Sequence, residues 1–219
     1  MATLNLQLGA SAHDAVQQSN TSGQGYTPTG SGVVSLTDTV LQPGGHGLNN
    51  MWFAVFWFNG VTIPQGATIN SANFILKAQA TWDAGGNVIK YWMSCQASDN
   101  AAIPTSASAS LNATNRPRGT QHVAWTQTSI VAEADQTIRS TAPVQEAVNR
   151  ALWASGSALA VCMDVHEDCN DNEWQEYYGY DLTPAKSAKL QVDYTASGGS
   201  ARFIQPVRAA QAIRRASLY

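Results

Sequence analysis

Acidic side chains are concentrated in one stretch of the chain. Seven of the fifteen acidic residues lie between positions 164 and 181. Ca²⁺ takes about six to eight oxygen ligands and favours carboxylates, so this stretch is a candidate Ca²⁺ site. Its first candidate ligands are Asp164, Asp168 and Asp171. The spacing lacks the central glycine and terminal glutamate of an EF-hand loop, and a solvated acidic loop at the rim of the fold is the alternative.

Aromatic side chains lie within the same stretch. The candidate ligand-binding residues are Trp174, Glu176, Tyr177 and Tyr178. Saccharide sites combine a flat apolar platform with a few polar groups that orient the ligand, and this set offers both. In a strand, however, alternate side chains point to opposite faces, so Tyr177 would lie on one face and the other three on the opposite face. We therefore expect only part of the set to be exposed, with core packing of the rings as the alternative.

The sequence carries no catalytic signature. A glycosidase needs two carboxylates on either side of the scissile bond, and crowding in one loop is no evidence for that geometry. The four histidines are scattered without a matched nucleophile: His13, His46, His122 and His166. There is no G-x-S-x-G elbow, no H-E-x-x-H pair and no phosphate-binding glycine loop. We expect no enzymatic activity and no cofactor apart from the Ca²⁺ considered above, with glycan cleavage as the third hypothesis.

The C-terminal segment, residues 201–219, is opposite in charge to the rest of the chain. It contains four arginines and no acidic residue, so subtracting its +4 from the formal net charge of −3 leaves −7 on the preceding body. Its candidate docking residues are Phe203, Ile204, Val207, Arg208, Ile213, Arg214, Arg215, Leu218 and Tyr219. Docking onto an acidic protein surface, such as a neighbouring subunit, fits both the charge and the apolar content. A solvated, disordered end is the alternative.

Composition restricts the classes of protein to which the chain can belong. Hydrophobic residues make up 44% and charged residues 12%, which predicts a packed core with polar, weakly charged faces. The net charge of −3 excludes a generally basic nucleic-acid-binding protein. The apolar run at residues 51–58 is too short to span a bilayer, and no secretory signal is visible. We expect a soluble protein made in the cytosol, with neither nucleic acid nor membrane as a partner.

The three cysteines are too few for a disulfide framework. Cys95 and Cys162 stand in apolar strand patterns and are expected to be buried. Cys169 stands in a polar loop, where it could pair with Cys162 or stay free.

Alternation of apolar and polar residues predicts a mainly β protein. Strands are expected at residues 3–8, 33–41, 68–80, 87–97, 158–165, 174–180 and 188–194. Residues 51–58 are apolar on both faces, which predicts a strand covered by a second sheet on one side and by another element, or another subunit, on the other. Residues 19–32 and 99–119 read as a loop and a surface excursion. This set predicts an antiparallel jelly-roll β-sandwich.

One segment has helical periodicity. Val144, Val148, Ala151 and Leu152 share a face, while Gln145, Glu146, Asn149 and Arg150 share the other. Pro143 is a start signal and Gly156 a stop signal. We predict a short amphipathic helix lying on the sandwich.

Three stretches of the sequence resemble, in order, structural elements of one known group of domains. Residues 63–72 (IPQGATINSA) form a loop that introduces an alternating strand, Trp153 and Gly156 lie between the helix and a buried strand, and residues 185–192 end the sheet. In this order they resemble DNRLRE-type and related carbohydrate-binding-module-like domains over roughly residues 50–194. The resemblance implies a jelly-roll module, found in secreted surface proteins and phage virion proteins, without enzymatic activity.

These features predict a mainly β chain: a jelly-roll β-sandwich (residues 1–194) with one short α-helix, a linker (195–200) and a C-terminal arm (201–219). The expected function is that of a non-enzymatic phage virion protein, such as a capsid decoration, neck or fibre component. It would form a homo-oligomer and dock onto other virion proteins through the arm. The alternative is a carbohydrate-binding module that recognises a surface glycan.

Overall fold

The computed structural model describes residues 1–19, 28, 32–46, 50–83, 88–169 and 173–197. The strands in this part are β1 (Ala2–Gln7), β2 (Asp14–Ser19), β3 (Val34–Ser35), β4 (Val40–Leu41), β5 (Gly44–Gly45), β6 (Met51–Val61), β7 (Thr68–Lys77), β8 (Trp82–Asp83), β9 (Ile89–Gln96), β10 (Arg118–Gln127), β11 (Ser129–Ile130), β12 (Asp135–Arg139), β13 (Ser157–Val165), β14 (Tyr177–Tyr178) and β15 (Lys189–Thr195). The helix α1 spans Thr141–Val148, and short 3₁₀ turns span Ser11–His13 and Pro184–Lys186.

Most strands belong to two sheets. The first sheet has the order β1-β15-β7-β12, and the second has the order β10-β9-β13-β6-β2-β3, with β5 pairing along β6. All pairings between described strands in these sheets are antiparallel. The order β1-β15-β7-β12 facing β6-β13-β9-β10 is the eight-stranded arrangement of a jelly roll, with β2 added beside β6. The predicted jelly-roll sandwich is confirmed.

The main core lies between the two sheets, where period-two alternation predicts it. On β7, Phe74 and Leu76 are fully buried, as are Tyr91 and Met93 on β9. The corresponding face of β13 is also buried: Leu159, Val161, Met163 and Val165. Removing these apolar side chains from water stabilises the sandwich by roughly 1.5–3 kcal/mol each.

A second apolar cluster covers the outer face of the second sheet. Phe53 and Val55 of β6 point into it, while Ala101 and Leu111 reach it from residues 99–117. The indole N–H of Trp57 donates to the Ala101 carbonyl at 2.7 Å. The second cover that the apolar strand requires therefore comes from the same chain. The prediction of residues 99–119 as a mere surface excursion was wrong in this respect.

Two arginines attach this covering segment to the sheet. The Arg118 guanidinium forms a two-point ion pair with Asp164, both N···O distances being 2.8 Å, and both side chains are fully buried. Arg118 also donates to the Leu111 carbonyl at 3.0 Å. Arg116 donates to the Ala102 and Ile103 carbonyls at 2.7 and 2.9 Å. These charge-assisted bonds satisfy backbone groups of a segment that has no strand partner of its own.

The helix is present but ends earlier than its pattern indicates. Val144 and Val148 are buried, whereas Leu152 follows the end of α1 and is 78% exposed. On the predicted polar face, the Gln145 amide bonds to Ile69 N and Ala67 O beside β7. The Glu146 carboxylate accepts the backbone N–H groups of residues 120 and 121 on β10 at 2.8 and 2.7 Å. The helix thus joins the two sheets through side chains expected to face solvent.

Several strand predictions need correction. The strand predicted at residues 33–41 is two short strands, β3 and β4, and the strand predicted at 174–180 is reduced to β14. The strands β2, β10 and β12 were not predicted. Cys95 and Cys162 are buried as expected, Cys169 is also buried, and no disulfide joins any two of the three. No helix in the described part of the chain has the length and apolarity needed to cross a membrane.

Candidate functional site

A depression of about 260 Å³ lies at the end of the sandwich where β7 finishes. We call it the Trp cleft, and its lining residues are Ala80, Thr81, Trp82, Trp174, Gln175 and Glu176. Residues 80–82 follow β7, whose last residue is Lys77, and residues 174–176 precede β14. Two segments that are far apart in sequence therefore line the cleft together.

The backbone of residues 173–177 is held on both sides. Gly45 N–H donates to the Glu173 carbonyl at 2.9 Å, and Gln79 N–H donates to the Glu176 carbonyl at 2.8 Å. The amide of the buried Gln175 side chain adds a bond to the Ala80 carbonyl at 2.8 Å. These bonds fix the strand-like path that places Trp174 and Glu176 in the cleft.

The close approach of this segment requires a glycine at position 44. Gly44 has φ +136°, and a Cβ atom there would lie 2.5 Å from the Glu173 carbonyl oxygen and 2.7 Å from the Trp174 Cα. Both the backbone conformation and the space exclude a side chain. The sequence Pro43-Gly44-Gly45, which reads as a turn, is thus the element that sets the position of Trp174.

Trp174 stacks on a histidine. The rings of His46 and Trp174 have centroids 4.3 Å apart and are inclined by 20°, and Trp52 lies 5.5 Å from the same imidazole. His46 Nε2 lies 2.9 Å from the Gln42 carbonyl, which can only accept, so this nitrogen donates. Burial lowers the pKa of His46, so the imidazole is neutral at neutral pH. A neutral aromatic stack therefore supports one side of the Trp174 indole.

Two carboxylates are oriented beside the indoles. The Trp82 indole N–H donates to Glu173 Oε2 at 3.2 Å. The Gln42 side-chain amide donates to Glu176 Oε1 at 2.8 Å. The cleft thus combines two flat apolar rings with fixed oxygen acceptors, a combination that can bind a ligand with an apolar face and hydrogen-bond donors at its rim.

Two of the predicted ligand-binding residues do not line the cleft. Tyr177 is fully buried, and its hydroxyl donates to Gln127 Oε1 at 2.7 Å, so the prediction of Tyr177 as a ligand contact is wrong. The Tyr178 hydroxyl donates to Glu133, and Lys186 Nζ lies 4.4 Å from the centre of its ring. Trp174 and Glu176 do come together in the cleft, because they lie on the same face of the extended segment.

The described carboxylates among the predicted Ca²⁺ ligands bond to different basic residues. Asp164 is committed to Arg118 inside the fold, and the Asp168 carboxylate accepts a bond from Lys90 at 2.8 Å. Asp171 lies outside the described residues. Within the described ranges, no three His, Cys, Asp or Glu side chains are grouped as metal ligands would be. The predicted docking residues, from Phe203 to Tyr219, also lie outside the described part.

Three residues of the site were not predicted from the sequence. Trp82, His46 and Gln42 lie in loops or very short strands, where no periodicity marks a face. The signal for Trp82 was a large aromatic residue just before a turn-forming Gly85-Gly86 pair. The pairing of Trp82 with Trp174 depends on the long-range contact between the two segments, which a local pattern does not contain.

Comparisons with known proteins place the chain in no family. No protein-family model matches it, and no curated protein resembles it significantly in sequence.

Proposed function

We propose that the chain is a non-catalytic saccharide-binding module whose binding site is the Trp cleft. The observation that supports this most directly is the placement of two half-buried indoles, Trp82 and Trp174, beside the Glu176 carboxylate in one depression. A pyranose ring has an apolar face that packs on an indole and hydroxyl groups that donate to carboxylate and amide oxygens.

The rigidity of the cleft adds support. The backbone on both sides of Trp174 is hydrogen-bonded, and His46 stacks on its ring. A site that is already ordered loses little conformational entropy when a ligand binds, so a small contact area can give measurable affinity.

A glycan array followed by titration calorimetry tests this proposal. We expect at least one saccharide to bind, and Trp174→Ala to weaken that binding by about tenfold or more, which corresponds to about 1.4 kcal/mol. Trp92→Ala is the matched control, since Trp92 is another half-buried indole, on β9, and does not line the cleft. No binding across a broad array, or equal losses in both variants, would remove the proposal.

We retain the virion role as a second proposal, which rests on sequence. Its support is the charge contrast between the acidic body and the arginine-containing arm, together with the resemblance stated above. The two proposals are compatible, because a jelly-roll module on a particle surface can carry a glycan site. Copurification of the chain with virions tests the role.

A further inference from the structure

We infer that the Trp cleft selects saccharides that carry an ammonium group and discriminates against carboxylated ones. The inference rests on the proposed saccharide-binding function and adds the chemical class of the ligand. It comes from the charge of the cleft rather than from its shape.

The described lining of the cleft contains a carboxylate and no cation. Glu176 is the charged residue among the six lining residues, and its Oε1 accepts from the neutral Gln42 amide. Glu176 forms no ion pair with another described residue under a 4.0 Å limit. Its negative charge is therefore not neutralised by a described cation.

A second carboxylate lies beside the cleft. Glu173 Oε2 lies 3.2 Å from the Trp82 indole nitrogen, so this acid lies at the side of the cleft that carries Trp82. Burial lowers the pKa of the imidazole behind Trp174, so this ring adds no positive charge at neutral pH.

The described lysines closest along the chain to the cleft segments are paired elsewhere. Lys77 contacts Asp135 at 2.8 Å, and Lys186 contacts Glu133 at 2.7 Å. Neither residue lines the cleft. The described lining of the cleft therefore offers a ligand a negative charge and no positive charge.

An ammonium group on a sugar ring would meet two favourable groups in this cleft. The indole face attracts a cation, and a carboxylate gives a charge-assisted hydrogen bond. A uronic acid would instead bring its carboxylate next to Glu176, where like charges repel. The predicted ligand class is an amino sugar with a free amine, preferred over its N-acetylated form and strongly preferred over a uronate.

Calorimetry with three oligosaccharide series tests the inference at pH 6, where the amine is protonated. The probes are glucosamine oligomers, the same oligomers N-acetylated, and oligogalacturonate. We expect the glucosamine oligomers to bind about tenfold more tightly than the acetylated ones, and oligogalacturonate not to bind. The preference should shrink as salt is raised, because screening weakens charge interactions.

Two isosteric variants identify the source of the preference. Glu176→Gln keeps an oxygen acceptor for Gln42 and removes the negative charge. The ratio of the affinities for the free-amine and acetylated oligomers should therefore fall from about ten to about one, whatever the change does to the affinity for either series alone. Glu167→Gln makes the same charge change at an acid that bonds to Trp92, outside the cleft, and should keep the preference. A preference unchanged in Glu176→Gln, or equal binding of the uronate, overturns the inference.

The outcomes separate the two proposals. If the acetylated oligomers bind in a Trp174-dependent way but no preference exists, the inference fails and the saccharide-binding function stands. If none of the three series binds, and a broad array is silent, both fail. If oligolysine binds as tightly as the glucosamine oligomers and with the same Trp174 dependence, the cleft recognises cationic chains generally and the inference is again overturned.

Discussion

Asp14 and Asp164 are both buried aspartates, but their surroundings differ. Asp164 faces the Arg118 guanidinium at two points, so its charge is balanced within the fold. Asp14 is 2% exposed, and its Oδ2 accepts from the Tyr180 backbone N–H at 2.8 Å. Burial raises the pKa of Asp14 to about 7, and the nearby charges of Asp181 and Asp38 act in the same direction, while the Tyr180 bond opposes them. A raised carboxyl pKa makes the folded state bind a proton that the unfolded state releases.

The titration of Asp14 predicts a pH-dependent stability. Between pH 4 and 7 Asp14 is protonated more fully in the folded state than in the unfolded state, so its contribution to the free energy of unfolding falls as the pH rises through this window. The contribution of Asp14 to this fall is about 4 kcal/mol across the window. Asp14→Asn keeps an oxygen acceptor for Tyr180 N–H and should remove most of the slope, and it should be more stable than the parent above pH 7.

Urea unfolding at several pH values measures this effect. Asp193→Asn is the control: its half-buried carboxylate accepts bonds from Thr3 and Ser71, and these bonds lower its pKa. Equal slopes in Asp14→Asn and the parent would show that Asp14 does not titrate in this range.

The long regular strands can be predicted from the sequence, whereas the tertiary contacts that complete the Trp cleft cannot. On β7 and β9, alternating residues such as Phe74 and Tyr91 identify the buried face correctly. The strands β4, β5 and β14 have two residues each, too short to show a period, yet they hold Trp174 in place. Likewise, the cover of β6 comes from Ala101 and Leu111, in a segment whose sequence has no periodicity. Such contacts depend on tertiary packing rather than on local preference.

The two-residue strand β5 can be tested by a substitution at Gly44. Gly44→Ala places a Cβ against the backbone of residues 173 and 174, so we expect this segment to be displaced and saccharide binding at the Trp cleft to fall by about tenfold or more. Calorimetric titration of the folded variant measures the loss.

Gly156→Ala is the matched control for this change. Gly156 also has a positive φ, +98°, but a Cβ there meets no atom within 4 Å. Gly156→Ala should lower the free energy of unfolding through backbone strain alone and leave the saccharide affinity unchanged. Equal binding by Gly44→Ala and the parent would contradict the assigned role of β5.

At the scale of the whole molecule, the jelly-roll order follows from alternation, turn signals and one amphipathic helix. The strands β7, β9 and β13 were predicted from alternation, and packing their apolar faces together requires two layers. The attachment of residues 99–117 was not predicted, since Arg116 and Arg118 look like ordinary surface residues in the sequence. Their burial depends on Asp164 and on carbonyl groups that only the folded chain brings together.

The C-terminal arm leads to a prediction about self-association. If residues 198–219 dock onto neighbouring copies, the full chain should self-associate and a chain ending at Ser197 should be monomeric at the same concentration. The fold should persist, because the last strand ends at Thr195. Light scattering coupled to size exclusion measures both masses.

A charge variant separates the two contributions of the arm. Replacing Arg202, Arg208, Arg214 and Arg215 by glutamine retains the apolar residues, so it should weaken self-association and remove its salt dependence. Identical masses for the full and truncated chains would contradict docking between copies.

If the Trp cleft binds a saccharide, the indoles of Trp82 and Trp174 both contact it. Indole N–H resonances of the ¹⁵N-labelled protein test this contact most directly, because the chain has seven tryptophans and each indole reports separately. On titration with a binding oligosaccharide, we predict saturable shifts of the Trp82 and Trp174 signals, while those of Trp92 and Trp57 stay in place. Shifts confined to tryptophans outside the cleft, or no shift at saturating ligand, would contradict saccharide binding at the Trp cleft.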